Sequence, residues 1–407
     1  MKGFFTPQET ESLSRPNGKI LSCISCGAFS ACVSPKQEVQ GNGAKGIMII
    51  GTAPESKDDK TGILFQSKTA KFLRSTLEQL DVDLFEDCYL TNSLKCYLPT
   101  TEGNRKPSNY EMDCCRKYVM LAIKKYKPKV VILLGNSALY TVIGNRWKRD
   151  LGKIEKWRGW DIPDQQLNTW ICPTFSHAYV EGLHLKRPEA LTIWKQDLQN
   201  AISKASEQLP IYKEPNIIYL EDDLSVLNEI KDCSIAFDYE TTGLKPHAKG
   251  HKIICVSIAY TENDVFTFMM PTSAKKRKPF IDLLQRDSVR KIAQNLKYED
   301  NWTNVLLGCK VVNWDWDTML CTHVMDNRNG VTNLKIQVYI QFGIIDYESE
   351  VSHFLKSDEE GNANAINHIE ELIEKPGGIH SLLKYCAYDS INEYRLSELQ
   401  KNLVLPF

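Results

Sequence analysis

The feature that most constrains this chain is an apolar run over residues 234–244 that ends in two acids and a glycine turn. Such a run is typical of a strand that enters a hydrophobic core. Asp238 and Glu240 stand two residues apart, so in a strand their side chains project from the same face. Carboxylates held this close repel one another unless a cation lies between them, and oxygen ligands favour Mg²⁺ or Mn²⁺. The pattern predicts a metal site, and the alternative is a surface strand with two solvated acids.

Two later segments carry acids at spacings that fit the same site. Glu299 and Asp300 follow Asn295 by four and five residues. Tyr385 precedes Asp389 by four residues, which places both side chains on one face of a helix. The three segments therefore predict a cluster of acids assembled from distant parts of the second half of the chain.

These segments resemble the three motifs of the DEDD-type 3′–5′ proofreading exonucleases, in the tyrosine-containing subclass found in family A DNA polymerases. The resemblance covers residues 217–407 and implies a ribonuclease H-like domain that hydrolyses DNA with two Mg²⁺ (or Mn²⁺) ions. The metal ligands that it implies are Asp238, Glu240, Glu299 and Asp389. Tyr385 is expected to orient the attacking water. Glu299 stands where the family has aspartate, so the neighbouring Asp300 remains an alternative.

The same resemblance implies contacts with the single strand of DNA. Leu244 matches the residue that wedges against the terminal base, and Asn295 and Tyr298 match positions that line the single-strand site. For Leu244 and Tyr298, plain packing in the core is the competing interpretation.

The first half of the chain alternates between strand-like and helix-like segments. We predict a strand that runs into a tight loop at 45–54, further strands at 87–92, 129–135 and 170–175, and helices at 67–80, 110–126 and 188–204. This alternation predicts an α/β sandwich with a parallel sheet, whose ligand cleft lies at the carboxyl ends of the strands. The loops at those ends are 51–59, 92–99 and 175–180.

Residues 21–205 resemble the family-4 uracil-DNA glycosylases through the Gly51-Thr52-Ala53-Pro54-Glu55 loop, the 62–65 segment and the Thr91-Asn92 pair. The residues that this resemblance places against a flipped uracil base are Gly51, Phe65, Asn92 and His177. An asparagine amide has both a donor and an acceptor, so it can read the edge of uracil and reject cytosine.

Thirteen cysteines without a secretory signal argue against a disulfide framework. The family resemblance implies a 4Fe–4S cluster bound by Cys23, Cys26, Cys96 and Cys115. Cys114 is an alternative for the fourth position. Zinc in the same cage, or buried cysteines without a ligand, are the other interpretations.

The sequence differs from that family at two positions that carry the family's glycosylase chemistry. Thr52 occupies the position of the first-loop carboxylate, and His177 lies one place away from the family's histidine. Glu55 is a substitute only if the loop takes a different path. We therefore expect uracil excision to be lost or altered, and the domain to act in DNA binding.

Charge and composition suggest how the chain divides. Residues 1–210 hold 29 Lys and Arg against 22 Asp and Glu, whereas the remainder holds 21 against 29, which suits a DNA-facing first half. We predict a tail at 1–20, the glycosylase-like domain at 21–205, a linker at 206–216 and the exonuclease domain at 217–407. The basic run at 275–278 is predicted to lie in a loop.

The combined prediction is a replication protein that proofreads as a 3′–5′ exonuclease and holds DNA with its glycosylase-like domain. The arrangement resembles the N-terminal part of tailed-phage polymerases. We expect single-stranded DNA or a primer 3′ end as substrate and, because the sequence ends 18 residues after Asp389, a separate polymerase polypeptide as partner. The absence of long apolar runs predicts a cytoplasmic protein, in the host if phage-encoded, without membrane contact. The alternatives are a bifunctional uracil-DNA glycosylase and exonuclease, and a non-catalytic polymerase-docking or processivity subunit.

Overall fold

The computed structural model describes residues 23–100, 103–359 and 361–404, and the predicted tail at 1–20 lies outside these ranges. Backbone contacts divide the chain into two compact units. The first extends to Ile211 and also includes Tyr339–Ile345, and the second comprises Tyr212–Val338 and the residues from Asp346 onward. Both units are mixed α/β structures. Within the described ranges, no helix is long and apolar enough to cross a membrane.

The first unit is built on a five-stranded sheet. Its strands are β1 (Ile47–Gly51), β2 (Cys88–Asn92), β5 (Val130–Leu134), β6 (Ile162–Asp164) and β7 (Thr169–Thr174), and β3 (Pro99–Thr100) and β4 (Gly103–Asn104) form a separate short hairpin. The sheet order is β2-β1-β5-β7-β6, with every pairing parallel except that of β6 with β7. Strands β2, β5 and β7 begin and end within two residues of their predicted bounds. Strand β1 begins two residues after its predicted start and ends at Gly51, where the predicted loop begins. The predicted parallel sheet is therefore confirmed.

In the described part of the first unit, seven α-helices connect and cover these strands. They are α1 (Ser56–Thr61), α2 (Lys68–Glu78), α3 (Asn109–Tyr126), α4 (Asn136–Leu139), α5 (Ile154–Trp157), α6 (His177–Leu183) and α7 (Pro188–Ser203). Ser67 caps α2 by accepting the Ala70 amide, and Ser108 forms a capping box with Glu111 in α3. One face of the sheet packs against α2, α6 and α7 in a continuous apolar core.

Residues 339–345 belong to the first unit although they lie far along the sequence. The Tyr339 ring packs against Trp147 and Trp157, with centroids 5.9 and 6.0 Å away. The Tyr339 hydroxyl donates a 2.7 Å hydrogen bond to Asp164, which also pairs with Arg146 at 2.7 Å. The predicted division at the linker gave no indication of this segment, because only the tertiary fold brings Tyr339 to those two tryptophans.

The second unit is built on a six-stranded mixed sheet. Its strands are β8 (Asn216–Tyr219), β9 (Ser234–Thr241), β10 (Ile253–Ala259), β11 (Asp264–Met269), β12 (Arg290–Ala293) and β13 (Trp314–Asp317), in the order β13-β12-β9-β10-β11-β8. The predicted strand at 234–244 is β9, a central strand that pairs parallel with β12 and antiparallel with β10.

The remaining helices are α8 (Ala274–Leu284), α9 (Leu296–Trp302), α10 (Thr318–Met325), α11 (Leu334–Phe342), α12 (Ile369–Glu374) and α13 (Gly378–Val404). The two faces of β9 contribute to different cores. Phe237 packs on the side of α8, whereas Ala236 packs with Ala387 and Ile391 of α13. Because side chains alternate along a strand, Asp238 and Glu240 lie on the α13 side of the sheet with Ala236.

One predicted loop is a helix, and the last residue of the predicted linker lies in a strand. The basic run at 275–278 lies in α8, because Phe280, Leu283 and Leu284 supply an apolar helical face while Lys278 pairs with Asp282 one turn later at 2.6 Å. Asn216, assigned to the linker, starts β8, which forms a parallel pair with β11 at the sheet edge.

Candidate functional site

The end of β9 carries a group of potential metal ligands. One ligand atom each from Asp238, Glu240 and Cys386 lies within 4.8 Å of the other two. The Cys386 thiol lies 3.7 Å from an Asp238 carboxylate oxygen and 3.3 Å from the Ser257 hydroxyl of β10. The sequence interpretation did not select Cys386, which adjoins Tyr385 but gives no separate signal.

Helix α13 brings Asp389 to the same region. Its carboxylate accepts a 2.6 Å hydrogen bond from the Tyr347 hydroxyl and forms an ion pair with the Lys335 ammonium group. Lys335 lies over the rings of Tyr347 and Tyr385, with centroid distances of 4.2 and 4.3 Å. This buried lysine was not predicted, because its contact with Asp389 joins residues 54 positions apart.

The structure separates the two candidate acids of the middle segment. Glu299 is 2% exposed, and one of its carboxylate oxygens has no hydrogen-bond partner within the described ranges. Its charge interacts with that of Asp238. Asp300 instead accepts a 3.3 Å hydrogen bond from the indole of Trp314. Glu299 is therefore the acid that faces the centre.

Asp317 positions the middle segment. Its carboxylate accepts backbone amide hydrogen bonds from Asn295 at 3.1 Å and Leu296 at 3.0 Å. It also caps α10 by accepting the amides of Met319 and Leu320. One carboxylate thus fixes the start of α9, on which Glu299 lies, and the start of α10.

Burial and mutual repulsion shape the electrostatics of this acidic centre. Burial, reinforced by the charge of Asp389, raises the pKa of Asp238 well above its usual range. Burial and the charge of Asp238 do the same to the pKa of Glu240 and to that of Glu299. The charge of Lys335 opposes the shifts of Asp238 and Glu240 but does not cancel them.

Tyr385 borders the acids from the first turns of α13. Burial, with the charges of Asp389 and Glu240, raises the pKa of Tyr385 well above its ordinary value. Its hydroxyl therefore keeps its proton at neutral pH and can donate a hydrogen bond to a water or a phosphate oxygen.

The acidic centre fits divalent metal ions. Its donors are mainly hard carboxylate oxygens, which Mg²⁺ and Mn²⁺ prefer. Buried carboxylates are stable as ions only when they are paired or coordinate a metal, and Glu299 leaves one oxygen unpaired. A divalent cation held by Asp238, Glu240, Glu299 and Asp389 would offset the negative charge of these acids.

The three residues expected to contact single-stranded DNA differ in their surroundings. Leu244 is 68% exposed, so it is free to contact a base. The Tyr298 hydroxyl hydrogen-bonds to Thr241 at 2.6 Å and donates to the Gly243 carbonyl at 3.1 Å, so it also fixes the turn after β9. Asn295 has a φ of 69°, in the left-handed region that asparagine tolerates, directly before α9.

The first unit gathers its predicted base-binding residues at the carboxyl ends of β1 and β2. Gly51 and Asn92 are register partners. A β-carbon on Gly51 would lie 2.3 Å from the Asn92 amide oxygen and 3.2 Å from the Phe65 ring, so only glycine permits this approach. Phe65 has a φ of 57°, which is a strained conformation for a bulky residue.

Two acids hold the loop that carries Phe65. Asp58 is 3% exposed and accepts the backbone amides of Glu55 at 3.0 Å and Gln66 at 2.7 Å. The Glu55 carboxylate accepts hydrogen bonds from the hydroxyls of Ser67 and Thr69, both at 2.9 Å. Glu55 is thus committed to the start of α2. Asp58 was not predicted, although its spacing from Glu55 is that of a capping box.

His177 joins the same pocket as the first residue of α6, directly after the capping Ser176. Its ring centroid lies 5.9 Å from that of Phe65. The imidazole is 9% exposed, and its Nδ1 atom has no partner within the described residues. Burial lowers the pKa of His177 to about 4, so the ring is neutral at pH 7.

The four cysteines predicted to bind a cluster come from separate segments of the first unit. Cys96 and Cys115 are buried in one apolar group, against which Cys26 and Cys32 pack. The charges of Cys23 and Cys26 act on both Cys96 and Cys115. Cys114 is buried outside this group. The structure therefore brings together the predicted set, with Cys32 as a fifth cysteine beside it.

The chemistry of these thiols fits a metal centre. Cys23, Cys26, Cys96 and Cys115 form no disulfide. Thiolate is a ligand of both zinc and iron–sulfur clusters, so this set of donors suits either.

Comparison with known proteins relates the first unit to a protein family. The sequence model described as the uracil DNA glycosylase superfamily matches residues 39–199. The type-4 uracil-DNA glycosylase of Pyrobaculum aerophilum is 33% identical over 168 residues, which cover 40% of this chain and 81% of that protein.

Two further proteins are similar to this chain at lower identity. The DNA polymerase of Bacillus phage SP01 is 23% identical over 328 residues, which cover 71% of this chain and 33% of that polymerase. The solved structure of Brucella melitensis NrnC with bound Mg²⁺ aligns with 46% of this chain and 81% of that protein, at 18% identity and a TM-score of 0.35.

Proposed function

This chain belongs to the uracil DNA glycosylase superfamily through its first unit, and we propose that its second unit is a metal-dependent 3′–5′ DNA exonuclease that proofreads during replication. The observation that carries the proposal is the closeness of Asp238 and Glu240 at the end of β9, where the charges of Glu299 and Asp389 also interact with Asp238 and Tyr385 lies beside them. The similarity to a phage DNA polymerase over 71% of the chain supports a role in replication.

Hydrolysis of a phosphodiester needs a hydroxide at neutral pH and neutralisation of the charge that builds on the phosphate. Two bound divalent ions supply both. Asp238 and Glu240 present their carboxylates from the same side of β9, and Asp389 presents its own from α13. Tyr385 retains its proton and orients the attacking water by a hydrogen bond. Exposed Leu244 packs against the terminal base and holds the 3′ end in place.

We assign DNA binding, rather than base excision, to the first unit. Its pocket retains Gly51, Phe65, Asn92 and a neutral His177, which suit the binding of a nucleobase. Thr52 supplies no carboxylate to position a water. Glu55 offers no replacement because its carboxylate is bound by two hydroxyls at the start of α2.

The cluster cysteines support the DNA-binding role. A 4Fe–4S cluster on Cys23, Cys26, Cys96 and Cys115 cross-links separate segments around the pocket and stabilises them. The basic character of residues 1–210 favours contact with a phosphate backbone. We propose the primer 3′ end or single-stranded DNA as substrate, and a polymerase polypeptide as partner.

The test uses the full chain, because residues 339–345 fold with the first unit. A 5′-labelled single strand with one internal uracil is incubated with Mg²⁺ and either the wild type or the Asp238→Asn, Glu240→Gln variant. A ladder that shortens from the 3′ end, and that is lost in the variant and without metal, is the expected result. The matched control replaces two exposed acids of the same unit, Glu221→Gln and Asp222→Asn, and retains activity.

Three other outcomes have defined meanings. An alkali-labile break at the uracil in the Asp238→Asn, Glu240→Gln variant supports the bifunctional alternative and contradicts the assignment of the first unit. A ladder that persists in that variant contradicts the assigned acids. No product of either kind from the wild type refutes an exonuclease active by itself and favours a subunit that only docks DNA or polymerase.

A further inference from the structure

Helix α13 carries another acid that no motif selected. Glu393 follows Asp389 by four residues, which places both on one helical face. Its side chain is 1% exposed, and one carboxylate oxygen has no hydrogen-bond partner in the described part of the chain. A buried ionised carboxylate without a partner is costly, so its surroundings should contain a cation when the protein is functional.

The neighbours of Glu393 belong to the acidic centre. The charges that act on it come from Asp238, Glu299 and Asp389, with Lys335 opposing them. Glu299 is the other acid here with an oxygen that lacks a partner. Glu299 and Glu393 lie on different helices, and their charges interact. With one oxygen each that lacks a partner among the described residues, they form a pair of candidate metal ligands.

The acids of this centre outnumber the cation that acts on them. Glu240, Glu299, Asp389 and Glu393 are buried and Asp238 is half-buried. The Lys335 ammonium group acts on Asp238, Glu240 and Glu393 and pairs with Asp389. Divalent cations would offset the remaining negative charge.

We propose that Glu393 is a fifth metal-site carboxylate, which holds one of two divalent cations together with Glu299. In this arrangement, Lys335 is a fixed cation that offsets part of the negative charge of the acids. The inference rests on the proposed metal-dependent function of the second unit. Lys335 is a positioning residue, because it acts through Asp389 and holds that carboxylate in place. The expected ions are Mg²⁺ and Mn²⁺, given the oxygen donors of both glutamates.

The proposal is tested by metal binding rather than by turnover. Mn²⁺ binding to the full chain is counted by electron paramagnetic resonance, and the melting temperature is measured with and without Mg²⁺. We expect two Mn²⁺ ions in the wild type. Glu393→Gln should weaken one of them about tenfold or more. Glu398→Gln, an exposed glutamate on the same helix, is the matched control and should bind both ions as the wild type does.

The melting temperature of Glu393→Gln without metal distinguishes a metal ligand from a residue that only stabilises the fold. Glu393→Gln removes an uncompensated buried charge, so it should raise the metal-free melting temperature and reduce the increase that Mg²⁺ causes. Lys335→Met should lower the metal-free melting temperature, since it leaves Asp389 without its ion pair. The double variant, Lys335→Met with Glu393→Gln, should melt above Lys335→Met alone.

Two results would overturn the proposal in distinguishable ways. If Glu393→Gln lowers the metal-free melting temperature and leaves both Mn²⁺ affinities unchanged, Glu393 is a structural residue while the metal centre stands. If the wild type binds no Mn²⁺, the metal centre itself is wrong, and the proposed exonuclease falls with it.

Discussion

The buried His177 predicts a pH-dependent stability of the first unit. Its pKa is 6.5 in an exposed chain and about 4 in the folded protein, because burial disfavours the imidazolium. A lowered folded pKa gives stability that is complete above pH 6.5 and is lost as the pH falls toward 4. At pH 5 most unfolded chains carry the proton and most folded chains do not. The free energy of unfolding should therefore be about 2 kcal/mol lower at pH 5 than at pH 7.5 through this residue alone.

The assay compares urea unfolding of the wild type and His177→Gln at the two pH values. Other groups titrate in both proteins, so the difference between their pH dependences isolates His177. His184→Gln is the matched control, because His184 lies at the end of the same helix, half-buried, with its ring bonded to the Glu181 carbonyl. Equal pH dependence of His177→Gln and wild type would refute the argument that this imidazole stays neutral in the fold.

Three further predictions concern the other parts of the two sites. Cys115→Ser should lose the iron and the visible absorption of the cluster, because Cys115 belongs to the buried cysteine group. Tyr385→Phe should slow the exonuclease about 100-fold or more while Mn²⁺ binding is unchanged, because only the hydroxyl that orients the water is removed. Gly51→Ala should cost about 1–3 kcal/mol in unfolding free energy, because its β-carbon would lie 2.3 Å from the Asn92 amide oxygen.

The cysteine and glycine variants have controls within the chain, and the tyrosine variant is checked by Mn²⁺ binding. Cys114→Ser should keep the cluster, and equal iron contents in Cys114→Ser and Cys115→Ser would contradict the assignment. Gly182→Ala places a β-carbon where no atom lies within 4 Å, so it should be close to neutral, and an equal cost at Gly51 and Gly182 would argue against the clash. Loss of Mn²⁺ binding in Tyr385→Phe would indicate a disturbed centre in place of a missing hydroxyl.

The sequence was sufficient wherever the signal was local. The apolar run before Asp238 and Glu240 predicted a strand that enters the core, and β9 is that strand. The alternation of strands and helices determined the parallel sheet of the first unit. The four-residue spacing of Tyr385 and Asp389 likewise placed both on one helix. The prediction of a loop at 275–278 was wrong, because the apolar residues that mark the helix follow the basic run in the sequence.

Only the tertiary structure decided which distant residues meet. In the fold, Glu299 interacts with Asp238, whereas Asp300 accepts a hydrogen bond from Trp314. The sequence of two adjacent acids on one helix does not show which of them faces the site. The tertiary structure brought Lys335 to Asp389 and placed Glu393 within reach of the same acids, although these residues share no motif. Among the described residues, one Glu393 oxygen has no hydrogen-bond partner. A sequence records spacing along the chain, whereas burial and charge balance depend on packing in three dimensions, and it is those two properties that make this acidic centre a candidate metal site.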